Sequence, residues 1–382
     1  MTANFKVNIN GTQTDTDDVF LLRADYPLLN SVSVGFLYGW GTNTNGQLGQ
    51  NDTISQSSPI QIGSDTNWKE LVSSYDKVIL TKTDNSLWGI GFRNLGTNDG
   101  IERSSPVQVG SDRNWKFITS NGNCSAAIRT DNTLWVWGSN NNGQLGLNDT
   151  VTRSSPVQLG TASDWKSVTS LGVSLLAIKT NGTLWGCGEN FFGQLGDGTT
   201  VYRSSPVQVG SDTNWKAVFS GVQSAYGIRN DDTLWSWGDN FFGQLGHNNT
   251  IWRSSPVQIG SLGIWKTAQG DVSYCIAITT DGRMFTWGQG SNGVLGQNNT
   301  ATYSSPVQLG TLTNWKTIAV SNSNHSAFSL KTDGTIWSWG ENGTGELGHN
   351  NTIARSSPVQ IGTLTDWQKI TVGDNTAYAI RY

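Results

Sequence analysis

A closed all-β propeller of seven four-stranded antiparallel blades is the fold this sequence predicts, and three observations predict it. The tripeptide Ser-Ser-Pro recurs seven times, ending at Pro59, Pro106, Pro156, Pro206, Pro256, Pro306 and Pro358, and takes every proline except Pro27. A tryptophan follows each at a near-constant distance, at Trp68, Trp115, Trp165, Trp215, Trp265, Trp315 and Trp367. The chain also stops at AIRY, where one further strand of the repeat is due, and Phe36-Leu37-Tyr38-Gly39-Trp40-Gly41 supplies that strand near its start.

Residues 1–35 stand outside the repeats and form an N-terminal arm or docking segment; residues 36–382 form the propeller. Within a unit, TLWVWG, SSPVQLG, WKSV and LLAIKT are short, aromatic or β-branched, and bounded by Gly, Asn, Asp and Ser, which marks strands. Pairs such as Asp131-Asn132 and Asp281-Gly282 link the AI-type strand to the next TLW strand, and such pairs tolerate the positive φ of tight hairpins. The 47-residue first spacing comes from the short loop GFRNLG, and the 52-residue last one from two extra residues in VSNSNHSAF. No stretch after residue 30 has helical periodicity. A small sheet cannot bury both faces alone, so the blades must stack, and a shared terminal blade removes the exposed sheet edges.

Composition narrows the function classes. The chain has 382 residues, 35% hydrophobic and only 14% charged, with 46 Gly and 18 Trp, enough for a large core. A formal net charge of −4 and scattered Lys and Arg argue against nucleic acid as a partner. No apolar run has the length of a membrane span, and MTANFKVNIN lacks signal-peptide character, so synthesis in the cytoplasm without a leader is expected. Cys124, Cys187 and Cys275 are far apart and form no CxxC, which points to inert thiols rather than a disulfide or metal site. His247, His325 and His349 read as solvated loop residues.

Chemical motifs weaken on inspection. Gly288 to Gly293 spells GxGxxG, but that fingerprint needs a strand-to-helix turn, and here it is one copy of the GxNxxGQLG loop. Asp84, Asp131, Asp231, Asp281 and Asp333 share one hairpin position, where Asp is a turn former. Arg103, Arg153, Arg203, Arg253 and Arg355 precede SSP and are expected to bond their own blade's carbonyls or acids. A nucleophile needs an oriented base, and three scattered histidines offer little. The expectation is a non-enzyme with no cofactor and no metal.

The string LWxWGxNxxGQLG, RSSPVQ, WK and AIKTDGTLW resembles the regulator of chromosome condensation repeat, over about residues 36–382. The resemblance implies a seven-bladed propeller closed between its two ends. For function it implies a protein-interaction scaffold or a regulator of a small GTPase, although the protruding wedge and loops used for nucleotide exchange have no counterpart here. Residues 1–35 resemble short N-terminal segments of marine phage virion proteins, through Asp15, Asp17, Asp18, Val19 and Phe20.

Departures from the repeat mark the candidate contacts. ENFFGQLG and DNFFGQLG place Phe191, Phe192, Phe241 and Phe242 on adjacent blades, and Tyr202, Trp252 and Tyr303 stand just ahead of SSP. Clustered loop aromatics offer a desolvated contact patch; the alternative is that each pair packs under its own loop. In the arm, Phe5, Val7, Val19, Phe20, Leu21 and Leu22 are the apolar anchors for docking on a partner. The leading expectation is a structural or contact module of a phage particle. A cytoplasmic interaction scaffold or small-GTPase regulator is the alternative, and a glycan partner comes third.

Overall fold

The short β-branched and aromatic segments form seven four-stranded antiparallel sheets in a computed structural model that describes residues 35–321 and 325–382. Each blade begins at the repeat tryptophan. In the second blade the strands are Trp115–Asn121, Cys124–Arg129, Leu134–Gly138 and Arg153–Gln158. Numbered by that tryptophan, blades 1 to 7 begin at Trp68, Trp115, Trp165, Trp215, Trp265, Trp315 and Trp367. The SSP proline lies in the fourth, outermost strand, the edge position where a missing N–H costs no ladder bond.

Blade 7 is built from both ends of the propeller, as the sequence predicts. Phe36–Gly41 lies between Gln56–Gln61 and Thr376–Arg381, with Leu37 opposite Ile380 and Trp40 opposite Ala377. The first strands of successive blades touch one another around a full circle, Trp367–Val372 meeting Trp68–Ser74. They therefore surround the central axis.

The core lies between blades. One cluster joins Leu176, Ile178, Leu184 and Leu195 of blade 3 to Trp215, Val218 and Trp237 of blade 4. Each second strand is sandwiched on both faces, which is why AI-type segments read as apolar runs without alternation. The repeat tryptophan also holds a cation: the Arg229 guanidinium sits 4.8 Å from the Trp215 ring and 3.6 Å from Trp235, and is fixed by Asp212 at 2.5 Å.

A second set of contacts latches each blade to the next. Asn51, Asn98, Asn148, Asn248, Asn298 and Asn350 hold φ between 56° and 64°, the left-handed region that Asn tolerates. Their N–H groups, and that of Gly198, donate to the first SSP serine carbonyl of the following blade. The last, Asn350 to Ser57 at 2.7 Å, closes the circle. The glycine before Gln-Leu-Gly abuts the same serine: a Cβ at Gly243, φ +78°, would lie 2.6 Å from Ser304 Cβ. Indoles reinforce the latch, Trp237 Nε1 donating to the Gln194 carbonyl at 2.9 Å and Trp40 Nε1 to Glu346 at 2.8 Å. Trp137 faces the shortened GFRNLG loop of blade 1 and its Nε1 has no acceptor. SSP and GQLG are thus the two halves of one inter-blade joint.

This architecture gives the disc two faces. The long loops between third and fourth strands and the turns between first and second strands lie on one, the loop face. The hairpins between second and third strands and the links between blades lie on the other.

Candidate functional site

In five of the seven blades the long loop is held by one asparagine, at Asn43, Asn140, Asn190, Asn240 and Asn342. In blade 4, Asn240 Oδ1 accepts from Leu245 N–H at 2.9 Å, while its Nδ2 donates to the carbonyls of Asn249 at 2.9 Å and Ile251 at 3.1 Å. Asn249 Oδ1 then accepts from Ile251 N–H at 2.9 Å, an Asx turn that points the Ile251 side chain outward. The same device acts on Ile54, Ile101, Val151 and Ile353, with Thr199 taking the acceptor's place for Val201. All six aliphatic side chains are exposed, Ile251 to 57%. The result is a crown of β-branched groups on the loop face, broken only at Ala301 of blade 5. Sequence reasoning missed it, although the signal was present: an apolar residue stands five positions before every SSP proline.

The loop aromatics join this crown on blades 3 and 4. Phe191 and Phe192 meet edge to face at 4.9 Å, and Trp252 of blade 4 packs against Phe192 at 4.9 Å and Phe191 at 6.4 Å. Phe241 and Phe242 form a like pair at 4.9 Å. In each pair one ring packs down and the other faces solvent: Phe192 and Phe242 are half-buried, Phe191 and Phe241 are exposed. One ring of each pair therefore packs under its own loop, and the other is left exposed on the surface. Tyr202 is exposed near Glu189. Tyr303 is placed differently from the others, because it occupies the arginine position itself and packs, half-buried, against the core of blades 4 to 6. The arm residues Phe5, Val7, Val19, Phe20, Leu21 and Leu22 lie outside the described residues.

Carboxylates underlie the aromatic patch. Desolvation raises Glu189, which accepts from Asn142 Nδ2 at 3.1 Å, and raises Asp239, which accepts from Phe241 N–H at 3.2 Å and Gln244 Nε2 at 2.9 Å. The arginines before SSP divide by repeat. Arg103, Arg153 and Arg203 pair with Asp99, Asp149 and Asp197 of their own blades at 2.5, 2.6 and 2.8 Å, the structural role expected of them. In blades 4 and 6, Asn249 and Asn351 stand where an acid would pair with Arg253 and Arg355. There the histidines are packed rather than solvated: His247 and His349 bond Ser236 and Ser338 at 3.0 Å, and burial first, then Arg253, pushes His247 down to about 4. The loop arginine and the serine of the neighbouring strand, both remote in sequence, explain this departure from the expectation.

At the loop-face mouth of the axis, Asp271 is fully buried, with Oδ1 accepting from Val272 N–H at 2.6 Å and Oδ2 without a partner. Burial, reinforced by the Asp374 charge, pushes it up to about 7. Its folded pKa exceeds the unfolded value, so between about pH 4 and 7 the folded chain binds more protons and stability falls as pH rises. Asp271→Asn is therefore expected to raise the melting temperature at pH 8 and to flatten its decline across that window, a gain of up to about 4 kcal/mol. An unchanged pH profile in thermal scans would show that Asp271 carries no such penalty.

The other motifs resolve into turn chemistry. Asp131 Oδ1 accepts from Thr133 N–H and Oγ1 at 3.0 and 2.7 Å, and Thr133 Oγ1 accepts from Trp135 Nε1 at 2.9 Å, a relay repeated in blades 1, 3, 4 and 6. Gly288 to Gly293 runs from a strand end into a single 3-10 turn, and a Cβ at Gly290 would meet the Ala301 carbonyl at 1.9 Å. Cys124, Cys187 and Cys275 are buried, and burial pushes the Cys187 thiol up to about 12. Among the described residues, no group of three His, Cys, Asp or Glu side chains is placed to hold a metal, and no helix is long and apolar enough to cross a membrane.

The repeat geometry has a counterpart among known families. The family model described as regulator of chromosome condensation (RCC1) repeat matches residues 35–75, 131–170, 181–226, 231–271, 281–328 and 333–380, and a second model of that repeat matches 115–144 and 215–244. The chain belongs to the regulator of chromosome condensation repeat family. No curated protein matches this chain. Solved structures of similar shape include human WBSCR16, 20% identical with a TM-score of 0.79 over 91% of this chain and 98% of that one. Prp20p of Saccharomyces cerevisiae, studied for its binding to Gsp1p and histones, is 17% identical with a TM-score of 0.81 over 92% of each chain. Yeast RCC1 (Prp20) bound to Kap60 is 16% identical, with a TM-score of 0.80 over 99% and 96%. At these identities the likeness is one of fold. Set against this family, the phage reading keeps only the residues of the arm.

Proposed function

We propose that this member of the regulator of chromosome condensation repeat family is a non-enzymatic protein-interaction scaffold that binds its partner through the loop face. The observation that supports this best is the crown of exposed Ile and Val side chains, held out by Asx turns in five blades and by Thr199 in a sixth, and widened by Phe191, Phe241, Tyr202 and Trp252. Rigid, solvent-facing apolar groups that recur by design of the repeat raise no core stability and supply contact area for another protein. The proteins of similar fold include Prp20p, studied for its binding to Gsp1p and histones, which supports the scaffold reading over the virion one. A virion role rested on the arm, and the matched relatives lend it no support. Regulation of a small GTPase is the finer form of the scaffold reading and awaits a binding partner.

The test is a paired substitution. Phe191→Ala with Trp252→Ala should weaken partner capture at least about tenfold, as loss of central aromatic anchors does, while leaving the fold intact by circular dichroism. Full retention of partner binding by the folded double variant would move the site off this face.

A further inference from the structure

The loop face is acidic as well as apolar. Sorting the described charged side chains by the strand ends that carry them gives seven basic and twelve acidic residues on the loop face, against fifteen and twelve on the hairpin face. Three of the seven loop-face bases are already consumed by Asp99, Asp149 and Asp197. Of the remaining four, Lys77 is buried in the wall of the axis, bonded to Ser125 Oγ at 3.2 Å, Arg253 and Arg355 each turn a buried Nε inward, and Arg93 is exposed beside the Phe92 ring at 4.7 Å. Of the nine carboxylates left after those pairs, Asp239, Asp271 and Glu346 are buried, and six are partly or fully exposed, Glu189 beside Tyr202 among them. Two such faces would repel each other, which argues against a second copy as the occupant.

Resting on the scaffold reading above, we propose that the loop face docks a basic, amphipathic polypeptide segment, with apolar side chains seated on Phe191, Phe241, Trp252 and the neighbouring crown and Lys or Arg side chains directed to Glu189. The exposed rings serve the cations too, since a guanidinium or ammonium over the face of Trp252 gains from the ring quadrupole as well as from the nearby carboxylates. Such a partner matches the face in sign and in texture; an acidic or purely aliphatic segment matches only one of the two.

The decisive experiment selects binders from a random linear peptide library on the full chain and measures the selected peptides by titration. The expected binders combine Lys or Arg with aliphatic or aromatic residues. Their affinity should drop about three- to tenfold in Glu189→Gln and fall steadily from about 50 to 500 mM salt, and it should drop at least about tenfold in Trp252→Ala. Thermal melting of each variant checks that it is folded. Selected peptides without net positive charge, or ones indifferent to salt and to Glu189→Gln, overturn the basic-partner inference while their dependence on Trp252 keeps the docking face. Binders indifferent to Trp252 as well, or a selection that yields none, overturn both.

Discussion

A chain lacking residues 1–41 should fail to form a soluble propeller, whereas one lacking only residues 1–34 should fold and melt as the full chain does. The longer deletion removes Phe36–Gly41, the strand that bonds to both Gln56–Gln61 and Thr376–Arg381. It takes away Leu37 and Trp40, neither with any exposure, and the Trp40 indole bond to the Glu346 carbonyl. Loss of a buried leucine costs about 2–5 kcal/mol and of a buried tryptophan about 3–5. Together these rival the whole stability of a typical domain, about 5–15 kcal/mol. Two strand edges open at the same time and offer templates for aggregation. The shorter deletion keeps Gly35, whose carbonyl accepts from Trp68 N–H at 3.2 Å, and the contacts among the described residues of the shared blade. Size-exclusion chromatography and a thermal scan of the two products decide the matter. Equal melting temperatures would mean that the ring does not depend on its shared blade.

The architecture was legible because the repeat states it many times over. SSP, the following tryptophan and the Asn-Gly or Asp-Gly pairs mark strand ends, and the missing strand at AIRY could be matched to Phe36–Gly41 by motif alone. The site was legible only where a residue broke the repeat, as at Phe191, Phe192 and Trp252. The aliphatic crown obeys the repeat, so it looks like core; only the Asx turn at Asn249 or Asp149 reveals that the side chain after it must point outward. Tyr303 shows the opposite failure. It breaks the pattern but stands where an arginine lies along its own blade, so its ring packs inward. Partnerships across blades, such as His247 with Ser236 under Arg253, depend on loop closure that no local pattern records.

Trp215→Ala should cost about 3–5 kcal/mol of stability, the loss of a buried large aromatic, and Trp252→Ala no more than about 1 kcal/mol, the worth of an exposed aromatic contact. Trp215 is 1% exposed and sits at the meeting of blades 3 and 4, touching Trp235 at 6.2 Å and Trp237 at 5.8 Å. Its removal leaves a cavity the size of an indole and strips one wall from Arg229, whose Nε is already buried without a partner. That cation would lose ring contact without gaining water at once, so the cost should lie toward the upper end of the range. Trp252 is 46% exposed and touches only Phe191 and Phe192 among the aromatic rings, so solvent replaces most of what it loses. The two tryptophans thus separate the uses of the residue in this chain, since loss of the first should lower stability without bearing on partner chemistry, and loss of the second should weaken binding in a protein that still folds. Denaturant titration of both variants against the full chain measures the difference. Comparable losses at the two sites would place Trp252 in the core and remove it from the docking face.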